Sequence, residues 1–356
     1  MILLLLACAA PADSSVEPPD DMDVVSRGDG DGYLVVPMLS PDYQDPAEVR
    51  VLDATGQVVW TLELPDTLNV LLEVRFVEDG SGVWLFSQDL TPLDAARFRL
   101  QRYGWDRVET ARIEDRGHTS FELLPDGGFV VLRKVVREIE GEDYLVDQLV
   151  EFDAKGVERG VVWTTTDDLL PTEHPTVASM PSMGDPPDWF HANSVSVGED
   201  GDYYVSLGDI STVVRVSPEG ELVQGIDSLG HFVDGGSGLP PVELPHSVQP
   251  VESGTWLVFN RREPTQADAC SELVELQVSE DGLSVERGFE WWPEDCPKTT
   301  MLGSAATIEG GRRLLNLGSA GRLVLLDAEG EIELQVDLDL GMGFGQGDWS
   351  ATGPTD

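Results

Sequence analysis

Short runs of alternating apolar and polar residues, each long enough for one β-strand, recur along most of the 356-residue chain. A tight turn separates two such runs at "GDGDGYLVV" (28–36), "VEDGSGVWLF" (77–86), "LPDGGFVVL" (124–132), "GEDGDYYVSL" (198–207), "VESGTWLVF" (251–259) and "IEGGRRLLNL" (308–317). A second hairpin follows each, turning at "DATGQ", "RYGWD", "DAKGV", "SPEGE", "SEDGL" and "DAEGE". The glycines of those second turns are Gly56, Gly104, Gly156, Gly220, Gly282 and Gly330, spaced 48, 52, 64, 62 and 48 residues apart. Asp and Gly dominate the turns because tight hairpins need the positive φ that glycine adopts at no steric cost.

Each unit therefore reads as four strands, A to D; in the fourth they fall at 192–197, 202–207, 211–217 and 221–226. Six such units predict an all-β fold, a six-bladed β-propeller of four-stranded antiparallel blades spanning 23–340. A blade cannot bury both of its faces alone, so neighbours stack around an axis. Two β-sandwiches are the competing architecture, but no linker-like change of composition divides the repeats. The first and last units each look complete, so no strand is expected to be borrowed across the chain ends. The Gly-rich tail, 341–356, is expected to be irregular.

Composition changes this picture in two ways. The net charge is −44, with only three lysines, Lys134, Lys155 and Lys298. Such a surface excludes nucleic acid and anionic membrane, which need a basic footprint. A small anion would need cationic groups close by, since distant charges are screened beyond roughly 8–10 Å. The start, "MILLLLACAA", is an apolar run through Cys8, followed by a polar, Pro-rich tether over 9–22. It resembles the end of a bacterial lipoprotein signal, although a basic n-region and a full apolar stretch are missing. The expectation is an exported protein, periplasmic or membrane-anchored through a lipid on Cys8. Cys270 and Cys296 then form an even pair suited to a disulfide in an oxidising compartment.

Only five histidines occur, and three share a place in the repeat. His118 lies nine residues before Gly127, His191 ten before Gly201 and His246 eight before Gly254. All three mark the entry of strand A, in units 3, 4 and 5. In a propeller strand A is innermost, and the D–A and B–C loops share one face, so the imidazoles are expected to converge at one mouth of the central channel. A lone histidine there reads as a hydrogen-bonded structural residue; three together read as a site. His174 and His231 fall in long irregular segments and are read as surface or lid residues. The surplus lengths, 164–188 and 225–245, each run from a strand D to the next motif histidine, and Cys270 and Cys296 belong to loops of the same face. Three histidines can ligate a metal with one open position. The spacing shows no HxH or HxxxH pair, and no metal is assigned. They can also act as a nucleophile with partners that bind developing charge. No GxSxG elbow supports a serine triad.

At these residues the chain resembles the bacterial aryl-sulfate sulfotransferases, PAPS-independent six-bladed propellers. "DWFHANSV" (188–195) is similar to the family's most recognisable motif, and "GHTSFELLPDGGFVVL" (117–132) to its His-His-Asp segment. "LPHSVQPVESGTWLVFNRR" (244–262) resembles its Gln-His stretch, and 299–336 its last blade. The resemblance implies that His246 is the nucleophile that carries the sulfuryl group, while His191 and His118 hold its oxygens and help the phenolate leave. Asn193, Arg261 and Arg262 are placed on the substrate side. The implied partners are small aromatic sulfate esters and phenols, and no cofactor is needed because the ester is itself the donor.

One departure stands out. The family carries an Arg in the B–C loop of the His191 blade, and here "VSLGDIS" puts Gly208 or Asp209 there. Losing a charged donor to a developing anion costs about 2.7–4 kcal/mol. Arg261, Arg262, Arg133 and Lys134 are the candidates to replace it. A non-catalytic binding or scaffold lipoprotein is therefore the alternative function. A quinone-cofactor propeller is a third, since "LDATGQVVWTL" (52–62) resembles one of that class's repeat motifs, but only once.

Overall fold

In the computed structural model the chain forms a ring of six antiparallel blades, a six-bladed β-propeller. The structure describes residues 22–27, 31–39, 47–64, 70–89, 95–170, 186–227, 241–252, 254–262, 270–279, 282, 284–299, 301–338 and 343–354. Cys8, the tether, His174, His231 and most of both long D–A segments lie outside them.

Blades 2 to 5 follow the expected order. Their inner strands are Val70–Phe76, His118–Leu123, Ala192–Val197 and Pro245–Glu252, each succeeded outward by three more strands of its own unit. The inner strand of blade 6 is Ser304–Thr307. Six apolar clusters hold the ring, one between each pair of neighbouring blades. Between blades 3 and 4, for example, Val130, Leu132, Leu149 and Trp163 meet Phe190, Val195, Val205 and Val214, all almost fully buried. Each such side chain contributes about 1.5–3 kcal/mol by leaving water.

The ends of the chain correct two expectations. Met22–Ser26 does not pair with the strand after it; it lies outermost on blade 6, antiparallel to Ile332–Leu338. The tail is not irregular. Gly343–Phe344 and Asp348–Ser350 run along Tyr33–Leu39 as the inner strand of blade 1. The first unit thus lacks an inner strand of its own, and both chain ends close the ring.

A smaller correction concerns the second hairpin of blade 2. In five units the residue that bonds back to the turn's first carbonyl is glycine with φ between 68° and 89°. In blade 2 that residue is Arg107, φ 64°, and Gly104 occupies the first position.

Between blades 4 and 5 and between blades 5 and 6, side chains take up the polar groups of the neighbouring inner strand. Ser196 Oγ donates to the Val248 carbonyl at 2.8 Å, the Ala305 amide to Ser247 Oγ at 2.9 Å, and the Thr307 amide to Gln249 Oε1 at 2.8 Å. These polar rungs fix the relative height of the blades, and with it the height of every side chain at the channel mouth.

Candidate active site at the channel mouth

Strand A is bulged at its entry in blades 3, 4 and 5, and the bulges decide where each histidine lies. His118 pairs with Leu132, Ala192 with Leu207 and Pro245 with Asn260, before the register slips past Thr119–Ser120, Asn193 and His246 respectively. By register, then, His118 matches Ala192 and Pro245. His191 sits one residue earlier and His246 one later, so the histidines take three adjacent positions, not one. A bulge re-aims the side chains beside it, which is why counting residues to the next glycine aligned them only approximately.

Eight of the nine described non-glycine residues with positive φ lie in D–A or B–C connections or strand-A entries, among them Thr119, His191, Ser211, Leu244, Arg262, Cys296 and Leu302. Backbone strain of this kind persists only where surrounding bonds hold it. At His191, φ 50°, the holding bonds run from the Gly208 amide to the His191 carbonyl (3.0 Å) and from the Asp209 amide to the Phe190 carbonyl (3.2 Å). A Cβ on Gly208 would lie 2.5 Å from Asn193 Nδ2, so a side chain there would have to displace that buried amide. The Cys270–Cys296 disulfide joins the B–C and D–A loops of blade 5 on this face.

A buried ionic chain joins two of the histidines. Lys134 and Asp147 are cross-strand neighbours on the long hairpin Phe129–Ile139 and Glu142–Phe152. The Pro187–Trp189 segment is clamped to that hairpin by bonds on both sides of Leu145, which brings Asp188 alongside. Lys134 Nζ donates to Asp147 Oδ1 at 2.8 Å and to Asp188 Oδ1 at 2.7 Å, all three side chains being almost fully buried. Asp147 Oδ1 also takes His118 Nε2 at 3.0 Å, while its Oδ2 accepts the Ala192 amide. Asp188 Oδ2 takes His191 Nδ1 at 2.7 Å. Burial favours neutral carboxyls, but Lys134 above all outweighs it and holds both aspartates below the usual carboxylate range.

The imidazoles come out differently. His118 bonds through both nitrogens, Nδ1 meeting Thr119 Oγ1, and burial with the Lys134 charge lowers its pKa. With both nitrogens bonded within the protein, His118 orients its neighbours; it does not offer the contact with sulfuryl oxygens that the resemblance implies. Burial also pulls His191 down, yet Asp188 outweighs it and raises its pKa. The His191 side chain is 21% exposed, and Nε2 has no hydrogen-bond partner among the described residues. His246 is 3% exposed, and its Nδ1 lies 2.9 Å from the Gly303 carbonyl, so Nδ1 carries the hydrogen and Nε2 the lone pair. Burial, then Arg261, then His191 push its pKa well below the ordinary value.

The other candidates separate. Arg261 lies close enough to shift His246, and Asp209 is its opposite charge. Arg262 turns away to Glu243 and Glu272 at 2.9 and 2.5 Å, and Arg133 to Glu158. Asn193 Nδ2 donates to the Pro245 carbonyl at 3.3 Å and so braces the backbone just before His246. Sequence reasoning missed Asp147, whose register opposite Lys134 becomes visible only once the hairpin is paired.

Comparison with known proteins bears on the family and the fold. The arylsulfotransferase (ASST) family model matches residues 31–226, which include His118, His191 and Asn193, while His246 and Arg261 lie past its end. No match was found among curated proteins. Among solved structures, a protein of unknown function from Bacteroides caccae is 15% identical, with a TM-score of 0.54 and coverage of 90% of this chain and 99% of that one. A Lactobacillus plantarum protein is 10% identical (TM-score 0.48, 86% and 83% covered), and a virginiamycin B lyase from Staphylococcus aureus 11% (0.45, 90% and 89%). The first of these likenesses shows the fold alone, and nothing is built on the other two. With the family model spanning more than half of its length, this chain belongs to the arylsulfotransferase family.

Proposed function

We propose that the protein transfers a sulfuryl group from an aryl sulfate ester to a phenol through a sulfo-histidine on His246. The observation that carries this reading is the contrast between two neighbouring imidazoles. The His246 pKa is pushed well below the ordinary value, with Nε2 unbonded among the described residues, and the His191 pKa is raised against burial by Asp188. Pairs of groups pushed apart in this way divide into nucleophile and acid.

His246 Nε2 attacks sulfur as the bond from sulfur to the aryl oxygen breaks. The departing phenolate takes the proton of His191 Nε2, and the Gly303 carbonyl stabilises the charge that develops at His246 Nδ1–H. In the second half, the acceptor phenol returns a proton to His191 while its oxygen attacks sulfur and the N–S bond breaks. Arg261 supplies the nearby cation in place of the missing family Arg. Export with a lipid on Cys8 belongs to the same proposal, and the Cys270–Cys296 bond suits an oxidising compartment.

Asp209 favours the second reading, a binding propeller, since it sets a carboxylate where the family has a cation. One experiment separates the two. The wild type is given a chromogenic aryl sulfate and phenol, beside His246→Ala, and intact mass is read after donor alone. Turnover by the wild type and a single sulfuryl adduct, both abolished in His246→Ala, support the transferase. Binding of aryl sulfates without turnover or adduct supports the other reading. The pH–rate profile is expected to be bell-shaped. It falls on the acid side where His246 gains a proton, below the ordinary histidine range, and on the alkaline side where His191 loses one, above it.

A further inference from the structure

We propose that Lys134 is a positioning residue that assigns the mouth's one mobile proton to His191 and keeps it off His118. The proposal rests on the sulfuryl-transfer reading for its purpose, but not for its evidence, which is geometric. Two carboxylates, Asp147 and Asp188, lie side by side with almost no solvent contact. A buried charge without a partner is strongly disfavoured, so the pair demands two positive charges. Lys134 supplies one, because Nζ touches an oxygen of each. The second must be a proton on one of two histidines, and each aspartate holds one of them.

Symmetry between the histidines is broken by the remaining contacts. His118 is the more enclosed, 1% exposed, and its ring meets Thr119 on the side away from Asp147. A neutral imidazole accepts from that hydroxyl and donates to the carboxylate. The groups that act on its charge are Lys134, Asp147 and Asp188. His191 opens to the mouth and is faced by Asp188, Lys134, Asp209 and His246. The proton therefore stays where a leaving phenolate can take it. Remove the lysine and the count is short by one, and His118, relieved of its cationic neighbour, becomes the next site to charge.

The test is a histidine count by imidazole 15N NMR, which needs no turnover. In the wild type His118 is expected to titrate below the ordinary histidine range and His191 above it. In Lys134→Met the His118 titration is expected to move up by roughly one to three pH units, with His191 still protonated. In Asp147→Asn, where one carboxylate is gone, the His191 titration is expected to move down. The double variant restores the count and is expected to return both titrations toward the wild type. His118 staying neutral in Lys134→Met, or His191 unmoved in Asp147→Asn, overturns the inference. If Lys134→Met does not fold, Asp147→Asn and the double variant still decide it. Loss of aryl sulfate turnover in the wild type would sink the transferase reading and leave these titrations as they are.

Discussion

At the mouth, Asp147 and Asp188 share Lys134 and two imidazoles; deeper in the channel, Glu73, Glu122 and Asp348 gather around a single guanidinium, Arg75. Arg75 bonds Glu73 at 2.6 Å and Glu122 at 2.8 Å, and Asp348 adds to its field. These groups line a cavity of about 130 Å³ with Ser194, Ser247 and Thr307. Burial is the largest influence in both places, yet the outcomes are opposite. Glu73 and Asp348 are pushed up by burial, which Arg75 does not overcome, while Asp147 and Asp188 are held down. Burial raises any carboxyl, and the number of cations per carboxylate decides whether it stays charged. The channel is short of cations and sheds charge. The mouth has enough and keeps it, which is what a site for anion chemistry near neutral pH requires.

The sharpest way to break the comparison is Asp188→Asn. It leaves His191 without its counter-ion and Lys134 with one carboxylate instead of two. Breaking a buried pair in this way typically costs about 3–5 kcal/mol, to be read as a lower denaturant midpoint at neutral pH. The sign with pH is fixed by the depressed carboxyl. Its stabilisation is complete above the ordinary Asp range and is lost only as pH falls through the lower value it has in the fold. The gap between wild type and variant should therefore stay open through mild acid and close well below it. Turnover should also lose its alkaline reach, because His191 then deprotonates earlier. An unchanged midpoint would mean that the mouth charges are not held by pairing.

Much of this architecture is written locally. The six turns and their second hairpins are short-range signals, because a two-residue reversal needs Gly or Asp wherever it occurs, and the blades follow from them. The exceptions are places where distant backbone decides. Nothing local distinguishes Met22–Ser26, which pairs with Ile332–Leu338, from a strand paired with its neighbour. The inner strand of blade 1 is assembled from the two shortest strand segments, in a tail whose glycines suggest irregularity. Those glycines are needed for close approach: a Cβ on Gly345 would lie 2.5 Å from the Leu72 carbonyl, and one on Gly347 2.5 Å from that of Val35. The histidines were legible as a set because they recur at strand entries. Their roles were not, since the tautomer of His246 depends on Gly303 from the next blade and the charge of His191 on Asp188 and a lysine 57 residues away.

Asp209 tests whether the mouth is uniformly rich in positive charge. It behaves like a channel carboxyl, raised by burial against the pull of His191. It also lies beside Arg261, whose charge it offsets. Asp209→Asn should strengthen the positive field that Arg261 lends the sulfuryl oxygens and raise kcat/KM for aryl sulfates by roughly threefold to tenfold, on the order of 1 kcal/mol. A drop would show instead that Asp209 positions His191 or Arg261 productively.

The smallest effect belongs to the channel, and its sign is opposite to that of the mouth. Asp348 accepts the neighbouring Trp349 amide at 2.8 Å and the Phe76 amide at 2.9 Å, and the second of these bonds holds the C-terminal strand against blade 2. Asn offers one carbonyl oxygen for the longer-range of these bonds, so the closure is kept while the charge is removed. A carboxyl with a raised value in the fold contributes its full stability below the unfolded value, and loses it as pH rises through the folded one. Wild type and Asp348→Asn should therefore unfold alike in acid and diverge as pH rises, with the variant ahead by about 0.5–1 kcal/mol at neutral pH, a small single-substitution effect. Thermal melts across that range give the answer. If the variant is instead weaker at neutral pH and the gap closes in strong acid, Asp348 is charged and paired with Arg75, and the two clusters obey the same rule after all.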